Sequence, residues 1–285
     1  MRRFFLLVYN ILVNYFFYIP FFIFGTLIGS FLNVVILRYN TGVSISGRSS
    51  CLSCSKKLEW YHLIPILSFI YLKGKCFFCR SRISVQYPLV ELLTGVVFLL
   101  ILEKYFFVQS GFLTAIFLII WSTLIAILVY DIKHMIIPDS LVYLFIGLSF
   151  FQIILSPSFS IQNIDWLHIL AGPILFIPFF LLWLISGGKL IGLGDAKTAW
   201  GIGWLVGLQI GFGGIVLAFW IGAVYSIFVL LVKYILSFVD EDNKLYLKLK
   251  KFRMKSEIPF APFLILSLFF VWYFNVDILD LFFLI

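Results

Sequence analysis

The chain has 285 residues, 63% of them hydrophobic and 12% charged, and a mean hydropathy of +1.11, which excludes a water-soluble globular domain. So much apolar surface also excludes a disordered chain, and no run has the alternating pattern of an outer-membrane barrel. The net charge of +8 matters through its placement, because Lys and Arg in short connections set the orientation of a membrane protein.

A transmembrane helix needs about 20 mostly apolar residues. Such runs predict an all-α polytopic membrane protein with about eight transmembrane helices, at roughly 17–37, 88–107, 113–131, 139–156, 166–187, 196–208, 212–238 and 258–280. Residues 4–16 fit either a short segment lying in the interface or a long first helix broken near Pro20. No small-residue cleavage site follows them, so a removed signal peptide is not expected. The connection from Arg38 to Arg82 carries eight basic residues against the single acid Glu59, and a second basic cluster runs from Lys244 to Lys255. The links Ser156 to Asp165 and Gly207 to Gly213 and the tail from Asn275 contain no Lys or Arg. The charge rule places both basic segments in the cytoplasm and the Lys-free links outside, and eight crossings that start outside give the same result. The expected division is an N-terminal segment with the first helix (1–37), a cytoplasmic loop domain (38–87) and a helical membrane core (88–285).

All four cysteines, Cys51, Cys54, Cys76 and Cys79, fall in the first basic connection as two C-x2-C pairs separated by 21 residues. Two such pairs closing on one another are the spacing of a tetrahedral thiolate zinc site. The loop is expected in the reducing cytoplasm, where lasting disulfides are rare, and is too short to bury much of a core without a metal. The expectation is one structural Zn2+ that folds the loop and does no chemistry, against the plainer possibility of four free thiols.

Acids in or beside membrane spans are costly and are functional candidates by default. Four stand out: Glu91, Asp131, Asp139 and Asp195. Asp139 follows Pro138 at a helix start, where the dipole suits a carboxylate, and Glu91 has the same plain explanation. Asp195, after Gly192-Leu193-Gly194, is open to a helix-capping role. Asp131 instead ends an apolar run, at the end of a span where the dipole opposes a negative charge. Were the helix continuous, Asp131 and Asp139 would be about 12 Å apart along its axis, too far to share a proton. Asp131 and Asp195, by contrast, are expected at one membrane depth on the cytoplasmic side. Two carboxylates in contact cannot both ionise easily, which is the arrangement of aspartic proteases. The glycines at 192 and 194 permit close approach of backbone or substrate, and Lys197 either steadies a carboxylate or marks the membrane boundary. An acid pair of this kind is also what a proton relay needs.

Several segments together resemble the prepilin peptidases, or type IV leader peptidases, a family of membrane aspartic proteases with a GxGD motif. They are Gly29-Ser30-Phe31-Leu32-Asn33-Val34-Val35 with Arg38; the cysteines around His62-Leu63-Ile64-Pro65-Ile66-Leu67-Ser68; Tyr87-Pro88-Leu89-Val90-Glu91; Asp131 with Ile137-Pro138-Asp139; Gly192-Leu193-Gly194-Asp195-Ala196-Lys197; and Ile258-Pro259-Phe260-Ala261-Pro262-Phe263. The resemblance covers most of the chain. It implies that Asp131 and Asp195 are the catalytic pair, that Asp139 supports them, and that the substrates are type IV prepilin or pseudopilin precursors cut at the cytoplasmic face of the inner membrane. Bacterial members with a cysteine-bearing loop often also N-methylate the new N-terminus with S-adenosylmethionine, and Glu91 is open to a part in either activity. Two departures are Gln86, where an Arg commonly precedes the Tyr-Pro, and Ala261, where a Gly is frequent.

The alternative of a different class is a proton-coupled transporter using the same acids. It is disfavoured because the acids gather at one face and no repeat halves are visible. His62, His134 and His168 read as structural residues, and the Trp and Phe side chains as lipid contacts and interface anchors. No nucleotide-binding glycine loop occurs, and no nucleic-acid partner is expected. The oligomeric state is left open.

Overall fold

The computed structural model describes residues 2–106, 111–156, 165–239 and 258–276. Among these it is all-helical, with two isolated β-bridges and no strand. The basic cluster after position 240, most of the 156–165 link and the tail beyond 276 lie outside the described residues. Two compact units are present, Met1–Val129 and Tyr130–Ile285.

In the first unit, α1 (Arg2–Arg38) is a single helix with Pro20 inside it, so residues 4–16 form neither a separate segment nor a helix broken from the rest at Pro20. Tyr18 to Arg38 pack on α3 (Gln86–Ile101) through glycines. A Cβ on Gly25 would fall 2.8 Å from the Gly95 Cα, and one on Gly29 would fall 2.7 Å from the Glu91 Cα. Such backbone-to-backbone approach is how membrane helices associate where apolar burial adds nothing over lipid. α3 continues into a π-helical turn, Leu102–Phe106. The connection between α1 and α3 holds a 3-10 turn, Trp60–His62, and the single-turn helix α2 (Leu67–Tyr71). The unit boundary falls inside α4 (Gly111–His134), an apolar helix whose middle is almost wholly enclosed.

The second unit contains the last turn of α4, then α5 (Asp139–Leu155), α6 (Trp166–Ser186), α7 (Leu193–Val206), α8 (Leu208–Val239) and α9 (Ala261–Phe274). α7 is the centrepiece, packed between α5 and α6, while α9 lies on α8. Small residues set its depth: Gly201 faces the Phe145 ring, and Gly203 rests on the backbone of Ala171 and Gly172. α7 and α8 are joined through Gly207 alone, at φ +81°, where a longer link to Gly213 was expected.

A helix overlaps each of the eight expected stretches over its described residues. Five stretches are long and apolar enough to cross a bilayer: Phe17–Arg38, Gln86–Tyr105, Gly111–His134, Trp166–Ser186 and Leu208–Leu236. α5, α7 and α9 have 17, 14 and 14 residues, short of the ~20 needed for a straight crossing. Not all of the Trp are the lipid contacts or interface anchors expected. Trp121 and Trp272 are buried inside the protein, and the Trp204 indole N–H donates to the Ile169 carbonyl at 2.8 Å.

Candidate active site and metal centre

The pair singled out by sequence is brought together within the second unit. Asp131 occupies the last turn of α4 and Asp195 the first turn of α7. Their exposures are 4% and 8%, and the two carboxylates interact electrostatically. The chain breaks helix between His134 and Asp139, with Met135 at φ +54°. Asp139 opens α5 beyond this break, exposed and bonded to Lys197.

Each carboxylate is held differently. Asp131 Oδ2 accepts the backbone N–H of Ala261 at 3.2 Å. That N–H is one of the orphan donors at the start of α9, so the positive end of a second helix offsets the unfavourable dipole of α4. Asp195 stands third in α7 and accepts from the backbone of Gly192, the N-cap. The capping explanation therefore accounts for one of its oxygens. The other, Oδ1, is buried with no hydrogen-bond partner among the described residues, so the cap leaves it uncommitted.

The two glycines of the motif do different work. A Cβ at Gly194 would lie 2.7 Å from the Ile137 Cβ, so Gly194 lets α7 settle on the 135–138 turn. A Cβ at Gly192 would meet only the Asp195 carboxylate, at 3.3 Å. Lys197 does not steady the pair: its ammonium donates to Asp139 Oδ1 at 2.7 Å and lies 4.9 Å from the centre of the Tyr143 ring. Asp139 and Lys197 together pin the start of α5 to α7.

Glu91 belongs to the first unit. It is buried, but the helix-start explanation does not describe it, since Val85 is the N-cap and Glu91 is a turn and a half further in. Its Oε2 accepts the N–H of Ile66 at 2.8 Å, and the Ser30 hydroxyl also bonds its carboxylate. Ile66 has φ +61° and ψ −52°, with the Leu67 N–H returned to the Pro65 carbonyl. This is the strained hand of the γ-turn, costly for a β-branched residue at about 1–3 kcal/mol. Nearby, Asn33 donates to the carbonyls of Gly29 and Tyr87 at 3.3 and 3.2 Å, and Gln86 donates to Asn33 Oδ1 at 3.5 Å. Ile66, Ile137 and the Ala261 N–H were not anticipated. Pro262 just inside α9 was the available signal for the last of these, because it marks a helix start.

The four cysteines form two matching knuckles. The Cys51 N–H donates to the Lys56 carbonyl and the Ser55 N–H to Cys51; likewise Cys76 donates to Ser81 and Arg80 to Cys76. In each, the residue after the second cysteine, Ser55 or Arg80, takes positive φ. All four sulfurs lie within 4.8 Å of one another. Zn–S bonds of about 2.3 Å place the sulfurs of a tetrahedron roughly 3.8 Å apart, and Cys51 and Cys79 are separated by 3.8 Å. The Cys54 backbone N–H, with help from Ser53, holds the Cys51 thiol down at about 6. Cys54, although the Lys56 N–H favours its thiolate, is pushed up to about 11 by desolvation and by the Cys51 and Cys79 sulfurs. The Ser81 hydroxyl and N–H hold the Cys79 thiol down as well, and a cluster in which Cys51 and Cys79 favour the thiolate while Cys54 resists it fits a divalent cation, which removes that repulsion. His62 is buried among Tyr61, Phe77 and Phe78, and its Nδ1 accepts the Glu59 N–H. The ring is a packing element of the loop.

Two family models match the chain: the Bacterial Peptidase A24 N-terminal domain over residues 23–105 and the Type IV leader peptidase family over residues 116–227. The prepilin leader peptidase/N-methyltransferase of Bacillus subtilis is 33% identical over 207 residues, 72% of this chain and 80% of the relative. The enzyme of the same name from Vibrio cholerae is 29% identical over 207 residues, 69% of this chain and 80% of its own. That of Stutzerimonas stutzeri is 30% identical over 214 residues, 64% and 72%. No solved structure matches. On these matches, the chain belongs to the type IV leader peptidase family.

Proposed function

We propose that this protein is a membrane aspartic endopeptidase that removes the basic leader of type IV prepilin or pseudopilin precursors, with Asp131 and Asp195 as its catalytic pair. The observation that supports this most directly is that both carboxylates are buried and electrostatically coupled, one held by the Ala261 N–H and the other with an oxygen that has no partner among the described residues. In such a pair one proton is shared. The ionised carboxylate takes a proton from a water whose oxygen adds to the scissile carbonyl, and the protonated carboxyl donates to the carbonyl oxygen. Collapse of the tetrahedral species breaks the C–N bond and the departing amine takes up a proton. Asp139 and Lys197 hold α7 in place, and Gly194 sets the depth at which Asp195 is presented.

Relatives bear the additional name N-methyltransferase, and we extend that activity to this chain, acting on the new N-terminal amine. S-adenosylmethionine would supply the methyl group. Glu91, the buried carboxylate of the first unit, already accepts from Ile66 and Ser30. Cys51, Cys54, Cys76 and Cys79 would hold a structural Zn2+.

On this reading the chain divides at residues 1–37, 38–87 and 88–285 into first helix, cytoplasmic zinc loop and protease core. It resides in the bacterial inner membrane with the aspartates and the zinc loop on the cytoplasmic side, as the charge bias supports. Its partners are the precursor and the bilayer, without nucleic acid. The transporter alternative has no support among the relatives. Co-expression with a prepilin-like precursor tests the proposal: a mobility shift that disappears with Asp195→Asn is expected, and an unprocessed precursor beside well-inserted wild-type protein would refute it.

A further inference from the structure

The connection between α1 and α3 does not simply project away from the membrane. Arg38 ends α1, its guanidinium donating to the exposed carbonyls of Ser44 and Ile45 at 2.8 and 3.2 Å. Gly29 lies nine residues before Arg38, about 13 Å along the helix axis. At the level of Gly29 the facing residue of α3 is Glu91, and Glu91 is the group that binds the Ile66 N–H. The connection therefore returns, after the first knuckle, to a depth well inside the basic end of α1, and α2 begins at the next residue.

At that depth α2 carries its apolar side chains outward. Leu67, Ile70 and Tyr71 are 65%, 66% and 83% exposed. Unsatisfied apolar surface is ordinarily a liability for a soluble loop, but here it is tied to the upper turns of two spans. Lys73 and Lys75 follow at once, where the Gly74 N–H closes α2 onto the Phe69 carbonyl at 2.9 Å. Apolar residues followed by Lys are the pattern of a segment lying in the headgroup region, with long basic side chains reaching out to the phosphates.

We propose that residues 63–75 form a re-entrant interfacial anchor, seating Leu67, Ile70 and Tyr71 at the headgroup–acyl boundary and gathering anionic phospholipid around Lys73 and Lys75. The Glu91–Ile66 hydrogen bond is the tether that fixes its depth, and the strained turn at Ile66 redirects the chain so that α2 runs along the surface. Charge favours this occupant over others. A basic peptide is repelled by the two Lys, a nucleic acid has no use for the apolar triad, and a soluble protein would have to reach below the basic end of α1 to touch it.

The test places the photo-crosslinker p-benzoylphenylalanine at Leu67 or Tyr71 of the full chain, in vesicles of equal parts phosphatidylglycerol and phosphatidylcholine. Adducts are read by mass spectrometry. Phe31, exposed on the α1 span, is the lipid-labelling control, Leu52 on the first knuckle is the comparison position, and protection of the four thiols from alkylation reports an intact loop. Lipid adducts at 67 and 71 are expected, with phosphatidylglycerol favoured about five-fold, the weight of one basic side chain at an anionic surface. The substitutions Lys73→Gln and Lys75→Gln together should bring that ratio to about one while leaving lipid labelling intact. Labelling at Phe31 but not at 67 or 71, adducts to a second copy or another protein, equal labelling at Leu52, or no preference for phosphatidylglycerol in the wild type would each overturn the proposal. None of these readouts depends on peptidase activity.

Discussion

Gly192 and Gly194 look alike in the sequence motif, yet the structure assigns them opposite tolerances, and Gly194→Ala is the informative change. The new Cβ would sit 2.7 Å from the Ile137 Cβ, 3.1 Å from its Cδ1 and 3.2 Å from its Cγ1. Carbon atoms pack at about 3.5–4.0 Å. The first of these contacts is to an atom fixed to the backbone, so rotation of the Ile137 side chain cannot relieve it. The start of α7 must withdraw by roughly 1 Å, a strain of about 1–3 kcal/mol, and Asp195 is the next residue. A displacement of about 1 Å at reacting groups costs on the order of 100-fold in rate. Single-turnover cleavage of a prepilin-like precursor in vesicles should show that loss in the chemical step, with precursor binding little changed. Ile137→Gly in the Gly194→Ala background removes the Cβ contact together with those of Cγ1 and Cδ1 and should recover about tenfold. Gly192→Ala meets only the end of the Asp195 side chain, at 3.3 Å, and should lose less than tenfold. A Gly194→Ala protein that cleaves at the wild-type rate would refute the idea that the seat on Ile137 sets the position of Asp195.

Asp131→Asn and Asp195→Asn should each abolish cleavage in protein that inserts normally, and the double variant should be no worse, because members of one catalytic unit do not add. Asp139→Asn should retain measurable turnover, since its partner is Lys197 and not the pair; a dead Asp139→Asn beside an active Asp131→Asn would mean that the wrong carboxylate had been chosen. The pH dependence of turnover should be bell-shaped, both limbs belonging to the pair as a whole, and replacing either aspartate by Asn should leave no profile to measure. Cys51→Ser with Cys54→Ser should release one zinc ion per chain, sensitise the loop to protease and lower activity without moving the pH limbs; freshly purified wild type with no zinc and four titratable thiols would reject the metal centre.

The helices were legible because the bilayer fixes both the length and the polarity of what crosses it. The expected 139–156 and 166–187 spans differ from α5 and α6 by a residue at most. The singling out of Asp131 rests on a different signal: it sits at the wrong end of its own helix, and that anomaly points to a compensating group outside it. What compensates Asp131 was not legible. The Ala261 N–H is a backbone group carried by a helix 130 positions away, and side-chain types do not encode it. The assignment of Lys197 was ambiguous because spacing along α7 says nothing about which neighbour its ammonium reaches. For Glu91 the plain alternative, a dipole partner near a helix start, does not hold, because its carboxylate accepts an amide freed by a strained turn that no residue type announces.

The shortness of α7 bears on how the enzyme meets membranes of different thickness. A bilayer acts on a helix through the lipid-facing length it must match, and mismatch is accommodated by tilt. With 14 residues, α7 is only about 21 Å long, and it is largely walled in by its neighbours. Thickening or thinning of the lipid thus acts first on the long, lipid-exposed α6 and α8, while the segment bearing Asp195 has little hydrophobic belt to be pulled by. Peptide-bond cleavage should consequently vary little across vesicles of differing acyl-chain length, even where those flanking helices change their tilt.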